Sequence, residues 1–205
     1  MREKDFPAPD VQNTAALILA GGRATRMGGV NKALVHFKGE PMIAQVIRTL
    51  KPQTAEILIS ANRDHEAFGA LGAARIFADR LKNYPGPLAA VEAAAEETEK
   101  DWLLMVPCDV PLIPSGLLDK FAEAFQKMPA GAYTVEADGR DQNTIALIHR
   151  SLCETVRPFV DRGDRKLGMW FDENGRVRVP WTMPGAVFAN VNSKEELMAL
   201  EKRQE

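Results

Sequence analysis

The chain has only two cysteines, Cys108 and Cys153, far apart and without a paired spacing. That leaves no disulfide framework, no cysteine zinc site and no redox pair, and it fits a reducing cytoplasm. The three histidines, His36, His65 and His149, have no ligand spacing between them and read as surface or core side chains. An excess of either charge is also missing. The formal net charge is -2, so nothing points to a general nucleic-acid or membrane surface, and any polyanion must be held by a local cluster. The apolar run Ala15–Ala20 is too short to span a bilayer. The first thirteen residues are charged, contain Pro7 and Pro9 and lack an apolar signal core, so residues 1–13 read as a mobile leader. There is no repeat and no low-complexity linker, and residues 14–205 read as one domain.

Two well-known phosphate loops are absent as well. A Walker loop needs adjacent Gly-Lys, but Val30 and Asn31 separate Gly29 from Lys32. A dinucleotide fingerprint needs a glycine two places after the first, and Ala24 follows Gly22 instead. What is present is a buried-strand run, Ala15–Ala20, emptying into Gly21-Gly22, then Arg23 and Arg26, then Gly28-Gly29, and ending on Lys32. Such a loop lets backbone N–H groups approach an anion closely while the side chains supply positive charge.

Beyond the loop, apolar runs at Ile57–Ile59, Ala74–Phe77 and Trp102–Val106 read as strands. Helical periodicity follows Pro41, Pro87 and Ser115. Alternating strand and helix with continuous apolar strands predicts an α/β fold: a single-domain, doubly wound, mostly parallel sheet with helices on both faces. The second half is less regular. Strands are expected at Ala132–Glu136 and Thr144–His149, joined by a turn at Asp138-Gly139-Arg140. A helix is expected over Leu152–Val160, further strands at Arg176–Trp181 and Ala186–Val191, and a last helix capped by Ser193 and Glu196. In an open parallel sheet, ligands bind outside the carboxyl ends of the strands. The glycine loop, Ser60, Asp79 and Asp109 all fall at such ends, and that convergence predicts one site. Asp109, beside Pro107, is suited to a divalent cation, and a turn or N-cap aspartate is its alternative reading.

The run Leu19-Ala20-Gly21-Gly22, Arg26-Met27-Gly28-Gly29 and Lys32 resembles the nucleotidyltransferases, and among them most of all the molybdenum cofactor guanylyltransferases. The resemblance extends from Ala15 to Leu200. It implies a Rossmann-like fold and transfer of GMP from GTP to the terminal phosphate of molybdopterin carrying molybdenum, with pyrophosphate released. It implies Leu19, Ala20, Gly21, Gly22, Lys32, Ser60, Asp79 and Asp109 as nucleotide-binding residues, Arg26, Lys32 and Asp109 as catalytic ones, and Asp109 as ligand to Mg²⁺. Passing contacts with other molybdenum-cofactor assembly proteins are implied too. The chain departs from the family pattern at three places: Ser60 and Asn143 stand for an asparagine and a proline, and Asn31 for an aspartate. Asn62 has a family counterpart and could share the role of Ser60. Phe188-Ala189-Asn190-Val191-Asn192 resembles the family's paired-asparagine segment by the active site. Arg140-Asp141-Gln142-Asn143 resembles a family stretch implicated in holding the pterin. A cytidylyl- or sugar-1-phosphate nucleotidyltransferase, or a nucleotide-binding module without chemistry, would use much the same loop.

Overall fold

The computed structural model describes residues 6–21, 31–72, 75–81, 86–182 and 185–202. The loop residues Gly22 and Arg26, together with Arg23, Gly28 and Gly29, lie outside them.

The strands are β1 (Thr14–Leu19), β2 (His36–Phe37), β3 (Glu40–Pro41), β4 (Glu56–Ser60), β5 (Arg75–Phe77), β6 (Trp102–Pro107), β7 (Ala132–Ala137), β8 (Arg140–His149) and β9 (Val177–Trp181). Seven of them form one sheet in the order β5-β4-β1-β6-β8-β7-β9, and β2 pairs with β3 in a small hairpin. Every neighbouring pair in the large sheet is parallel except the two that involve β8. The helices are α1 (Met42–Leu50), α2 (His65–Gly69), α3 (Pro87–Glu97), α4 (Leu117–Lys127), α5 (Val156–Asp161), α6 (Leu167–Glu173) and α7 (Lys194–Lys202).

Successive residues of a strand point to opposite faces, and both faces here are apolar. Ala16, Ile18, Ile57, Ile59 and Leu104 pack with Ile43, Val46 and Leu50 of α1 and Leu117 and Phe121 of α4. Ala15, Leu17, Leu58, Leu103 and Met105 pack with Leu88, Ala89 and Val91 of α3, Phe159 of α5 and Trp170 of α6. The sheet is therefore wound on both sides, as the unbroken apolar strands require. At roughly 1.5–3 kcal/mol for each large side chain taken out of water, these two layers dominate the favourable side of folding. A third, smaller cluster joins Phe37 and Met42 to Val191, Leu197 and Leu200, and so fixes α7 against the β2–β3 hairpin. Among the described residues no helix is long and apolar enough to cross a membrane.

Four expectations need correction. Within the stretch read as a leader, Phe6 and Pro7 are anchored to the sheet: the Phe6 ring lies 4.8 Å from His149 and 6.2 Å from Trp102, and Trp102 Nε1 donates to the Pro7 carbonyl at 2.9 Å. The apolar Phe6 and the carbonyl needed by a buried indole outweigh the charges around them. The helix expected over Leu152–Val160 is a 3-10 turn, Arg150–Thr155, followed by α5. Pro158 falls in the first turn of α5, where a missing N–H breaks no helical bond. Ala186–Val191 is not a strand but a 3-10 turn, Gly185–Phe188, followed by residues without regular secondary structure. Helix α6 has no counterpart among the sequence-based elements. Its seven residues are too few for a helical period to stand out.

Candidate active site

The parallel strands end at one level. Leu19 pairs with both Ser60 and Pro107, and Ser60 with Phe77. Backbone bonds just past the ends keep the emerging loops together: Ala20 N–H to the Ser60 carbonyl at 2.8 Å, Ala61 N–H to Phe77 at 2.8 Å and Cys108 N–H to Leu19 at 3.1 Å. Above this edge lies a cleft of about 460 Å³ lined by Leu19, Gly21, Ser60, Asp79, Pro107 and Asp109, and closed by α3 and by Thr144 and Asn190.

Asp79 is held firmly. Ser60 Oγ donates to its Oδ1 and Asn62 Nδ2 to its Oδ2, both at 3.0 Å, while the Asp79 N–H donates to Asn62 Oδ1 at 3.0 Å. Gly21 passes against this group so closely that a Cβ there would sit 3.3 Å from Asn62 Nδ2. The serine at 60, where the resemblance has asparagine, thus orients Asp79 through its single hydroxyl.

Lys32 and Asp109, seventy-seven residues apart in sequence, meet on the rim. Lys32 Nζ donates to Asp109 Oδ2, and also to Asn192 Oδ1 at 2.7 Å. Both charged side chains are mostly shielded, at 20% and 16% exposed. Asn192 is brought there by Val191, whose N–H donates to the Asp109 carbonyl at 2.9 Å and whose side chain lies in the third apolar cluster. The other oxygen of Asp109, Oδ1, is buried and has no hydrogen-bond partner among the described residues. A buried, unbonded carboxylate oxygen is costly unless something binds it. A hard divalent cation, which takes one or two protein carboxylates and completes its shell with phosphate oxygens, fits that atom. Among the described residues no group of three acidic, histidine or cysteine side chains could hold a metal without a ligand's help.

Asn31 shows why an aspartate would be out of place there. Its Oδ1 accepts from the Ala33 N–H at 3.1 Å and caps the 3-10 turn Lys32–Leu34, while its Nδ2 donates to Asp64 Oδ2 at 2.7 Å. A carboxylate at position 31 would face another carboxylate. The pair also ties the end of the glycine loop to the turn after β4.

Cys108 is not a nucleophile in this setting. Burial, and next the neighbouring Asp109 carboxylate, push its thiol up to about 12, so it stays protonated and inert. His65 is occupied by the Ala61 carbonyl at 2.8 Å, and His149 stacks edge-on against Trp102.

Of the residues singled out in the sequence, Leu19, Gly21, Ser60, Asp79 and Asp109 line the cleft, with Ala20 between two of them and Lys32 bonded to Asp109 at its rim. Gly22 and Arg26 lie outside the described residues. Thr144 was not expected. It stands at the polar start of the expected strand Thr144–His149, and no local signal distinguishes it from the polar residues before it.

The MobA-like NTP transferase domain family matches residues 16–177 of the chain. The molybdenum cofactor guanylyltransferase of Photobacterium profundum is 37% identical over 190 residues, covering 92% of this chain and 96% of that protein. The enzyme of the same name from an Acidovorax species is 38% identical over 205 residues, covering 94% and 97%. Among solved structures, the molybdopterin-guanine dinucleotide biosynthesis protein A of Archaeoglobus fulgidus superposes with a TM-score of 0.75 at 19% identity, over 93% of this chain and 98% of that one. That last likeness speaks for the fold.

Proposed function

Because the chain belongs to the MobA-like NTP transferase family, we propose that its cleft transfers GMP from GTP to the terminal phosphate of molybdopterin carrying molybdenum, yielding the guanine dinucleotide form and pyrophosphate. Two relatives named for this activity match nearly end to end. The observation that carries the reading is the meeting of Lys32 and Asp109 on the rim of a cleft at the carboxyl ends of the sheet.

The acceptor phosphate is already ionised at neutral pH, so attack on the α-phosphorus needs no general base. The new bond forms between an acceptor oxygen and the α-phosphorus as the bond to the β-phosphate oxygen breaks. Both partners are anions, and the main task is to neutralise and align them. Lys32 leaves Asp109 for the phosphates and stabilises charge that grows on the leaving pyrophosphate. Arg26 shares that role. Gly21, and by the family resemblance Gly22, would offer backbone N–H donors to the phosphates, beside Leu19 and Ala20. Asp79, fixed by Ser60 and Asn62, orients the nucleoside. Asp109 would hold Mg²⁺ through its unbonded Oδ1, and the ion when bound supplies positive charge that offsets the triphosphate. The same reading puts the protein in the cytoplasm, in passing contact with other molybdenum-cofactor assembly proteins.

Pyrophosphate release, measured with Mg²⁺ and molybdopterin and with GTP, CTP, ATP or UTP in turn, tests this. Turnover with GTP and dependence on the acceptor are expected. Preference for CTP or UTP, or release that ignores the acceptor, would contradict it.

A further inference from the structure

The turn that follows β4 holds two things at once. Asn62 within it fixes Asp79 in the cleft wall. Two residues on, Asp64 stands at the N-cap position of α2 with a left-handed backbone, φ 60° and ψ 31°. That conformation is costly for a residue with a Cβ and would suit glycine. An aspartate at an N-cap ordinarily accepts a hydrogen bond from the first turn of its own helix. Asp64 makes no such bond. Its Oδ2 instead accepts from Asn31 Nδ2 at 2.7 Å, thirty-three residues back in the chain, and Arg63 Nε lies 3.5 Å from the same oxygen. Neither capping nor backbone preference accounts for an aspartate at this place, and the bond to Asn31 does.

Asn31 is buried, and both ends of its amide are used. A backbone N–H only donates and a carboxylate only accepts, so Ala33 N–H on one side and Asp64 on the other fix which way the amide faces. The 3-10 turn it caps is closed by Leu34 N–H to the Asn31 carbonyl at 2.9 Å and by Val35 N–H to the Lys32 carbonyl at 3.2 Å. Ala33 is packed in the first apolar layer. Lys32 therefore leaves a turn held on one side by the core and on the other by Asp64, and its side chain then reaches Asp109 and Asn192. The anchor is itself fixed: Ala61 N–H donates to the Phe77 carbonyl at 2.8 Å, and the His65 ring bonds to the Ala61 carbonyl at 2.8 Å.

We infer that Asp64 is a positioning residue for the proposed transfer: through Asn31 it sets the turn from which Lys32 reaches the phosphates. The inference rests on that reading of the cleft and adds a residue from outside it, since Asp64 is not among the described residues that line the cleft. A lysine is one charge on a long flexible stem, so the places its ammonium can occupy depend on where its backbone is held. Where catalysis is alignment and charge neutralisation, a displacement of about 1 Å is enough to lower the rate severely. Lys32 has to leave Asp109 and meet the phosphates, and a fixed backbone lets it do both.

The test measures kcat and both KM values from pyrophosphate release, with Tm, in the wild type and in Asp64→Gly. Glycine fits the left-handed backbone and removes only the acceptor for Asn31. Asp64→Gly should lower kcat by about tenfold, the scale of one lost charged hydrogen bond, with the acceptor KM within about twofold and Tm within about 4 °C. In a Lys32→Ala background the same change should cost less than about twofold, because Asp64 acts through Lys32. Asn31→Asp alone should also lower kcat by about tenfold. Exchanging the pair, Asn31→Asp with Asp64→Asn, rebuilds the bond with donor and acceptor reversed and should bring kcat back to within about threefold of wild type. An unchanged kcat in Asp64→Gly, an equal loss with and without Lys32, or an exchanged pair as slow as Asn31→Asp would each overturn the inference while the transfer reading stands. If Asp64→Gly does not fold, the exchanged pair decides. A folded wild type with no GTP- and acceptor-dependent turnover would overturn the transfer reading, and the inference with it.

Discussion

On one flank of the cleft, parallel strands end side by side, and the polar groups that follow them bond to one another at once: Ser60 and Asn62 to Asp79, across a gap set by strand pairing. On the other flank an antiparallel strand slips its register, and a buried arginine just before β9 holds the slip in place. The first flank is rigid because regular pairing makes it so. The second is rigid only while a particular set of long-range bonds persists.

The difference can be broken most sharply between the flanks, at the pair that belongs to both. Asp109→Ala and Lys32→Ala should each lower the rate by about a hundredfold or more, the scale of lost electrostatic stabilisation, measured as pyrophosphate release by folded protein. Near-normal turnover in either would remove the pair from the chemistry. On the first flank, Asp79→Ala should weaken GTP binding by about tenfold, as expected for losing a charged hydrogen-bonding group, with the acceptor KM little changed. Calorimetry and steady-state kinetics together read that split. At the joint between the glycine loop and the turn after β4, Asn31→Asp should cost about 1–2 kcal/mol, because it replaces a donor to Asp64 with a like charge. For a chain of this size that lowers Tm by roughly 2–8 °C. If the fault is repulsion, the additional change Asp64→Asn should restore most of the loss.

The smallest effect lies beneath the second flank and depends on pH. Burial pulls the Asp172 carboxyl upward, but hydrogen bonds and charge from Arg176 and Arg178 outweigh it and leave the carboxyl below its ordinary value. A carboxylate lowered on folding adds stability that is present above its unfolded value and is lost as pH falls through the folded one. Asp172→Asn should therefore flatten the acid side of the stability curve slightly, below about pH 4, and leave it unchanged at neutral pH apart from a small constant offset. The carboxylate is half exposed, so solvent screening keeps the effect small.

The two flanks also differ in how far the sequence reveals them. Ser60, Asp79 and Asp109 could be picked out because each follows a short run that reads as a strand, and the carboxyl ends of parallel strands share an edge. Packing on both faces follows from the same unbroken runs. Thr144 offers no such cue: it sits mid-strand, and its place depends on a bulge fixed by Arg176, thirty-two residues away. The fit of Asn31 against Asp64, and of Asn192 against Lys32, is equally long-range. The anchoring of Phe6 and Pro7 was hidden because charge and proline dominate that stretch, while one phenylalanine and one carbonyl make the contacts. Local pattern reports what lies at the end of a strand. It does not report which distant side chain arrives there.

A second cavity, of similar size, lies at the amino ends of the strands between Glu92, Asp101, His149 and Arg157, and it offers a direct contrast. Amide chemical shifts recorded as Mg²⁺ and GTP are added would separate the two places. The account predicts that the largest changes fall on Leu19–Gly21, Ser60, Asp79 and the residues around Lys32 and Asp109. Changes centred instead on Glu92, Asp101 and Arg150 would contradict it.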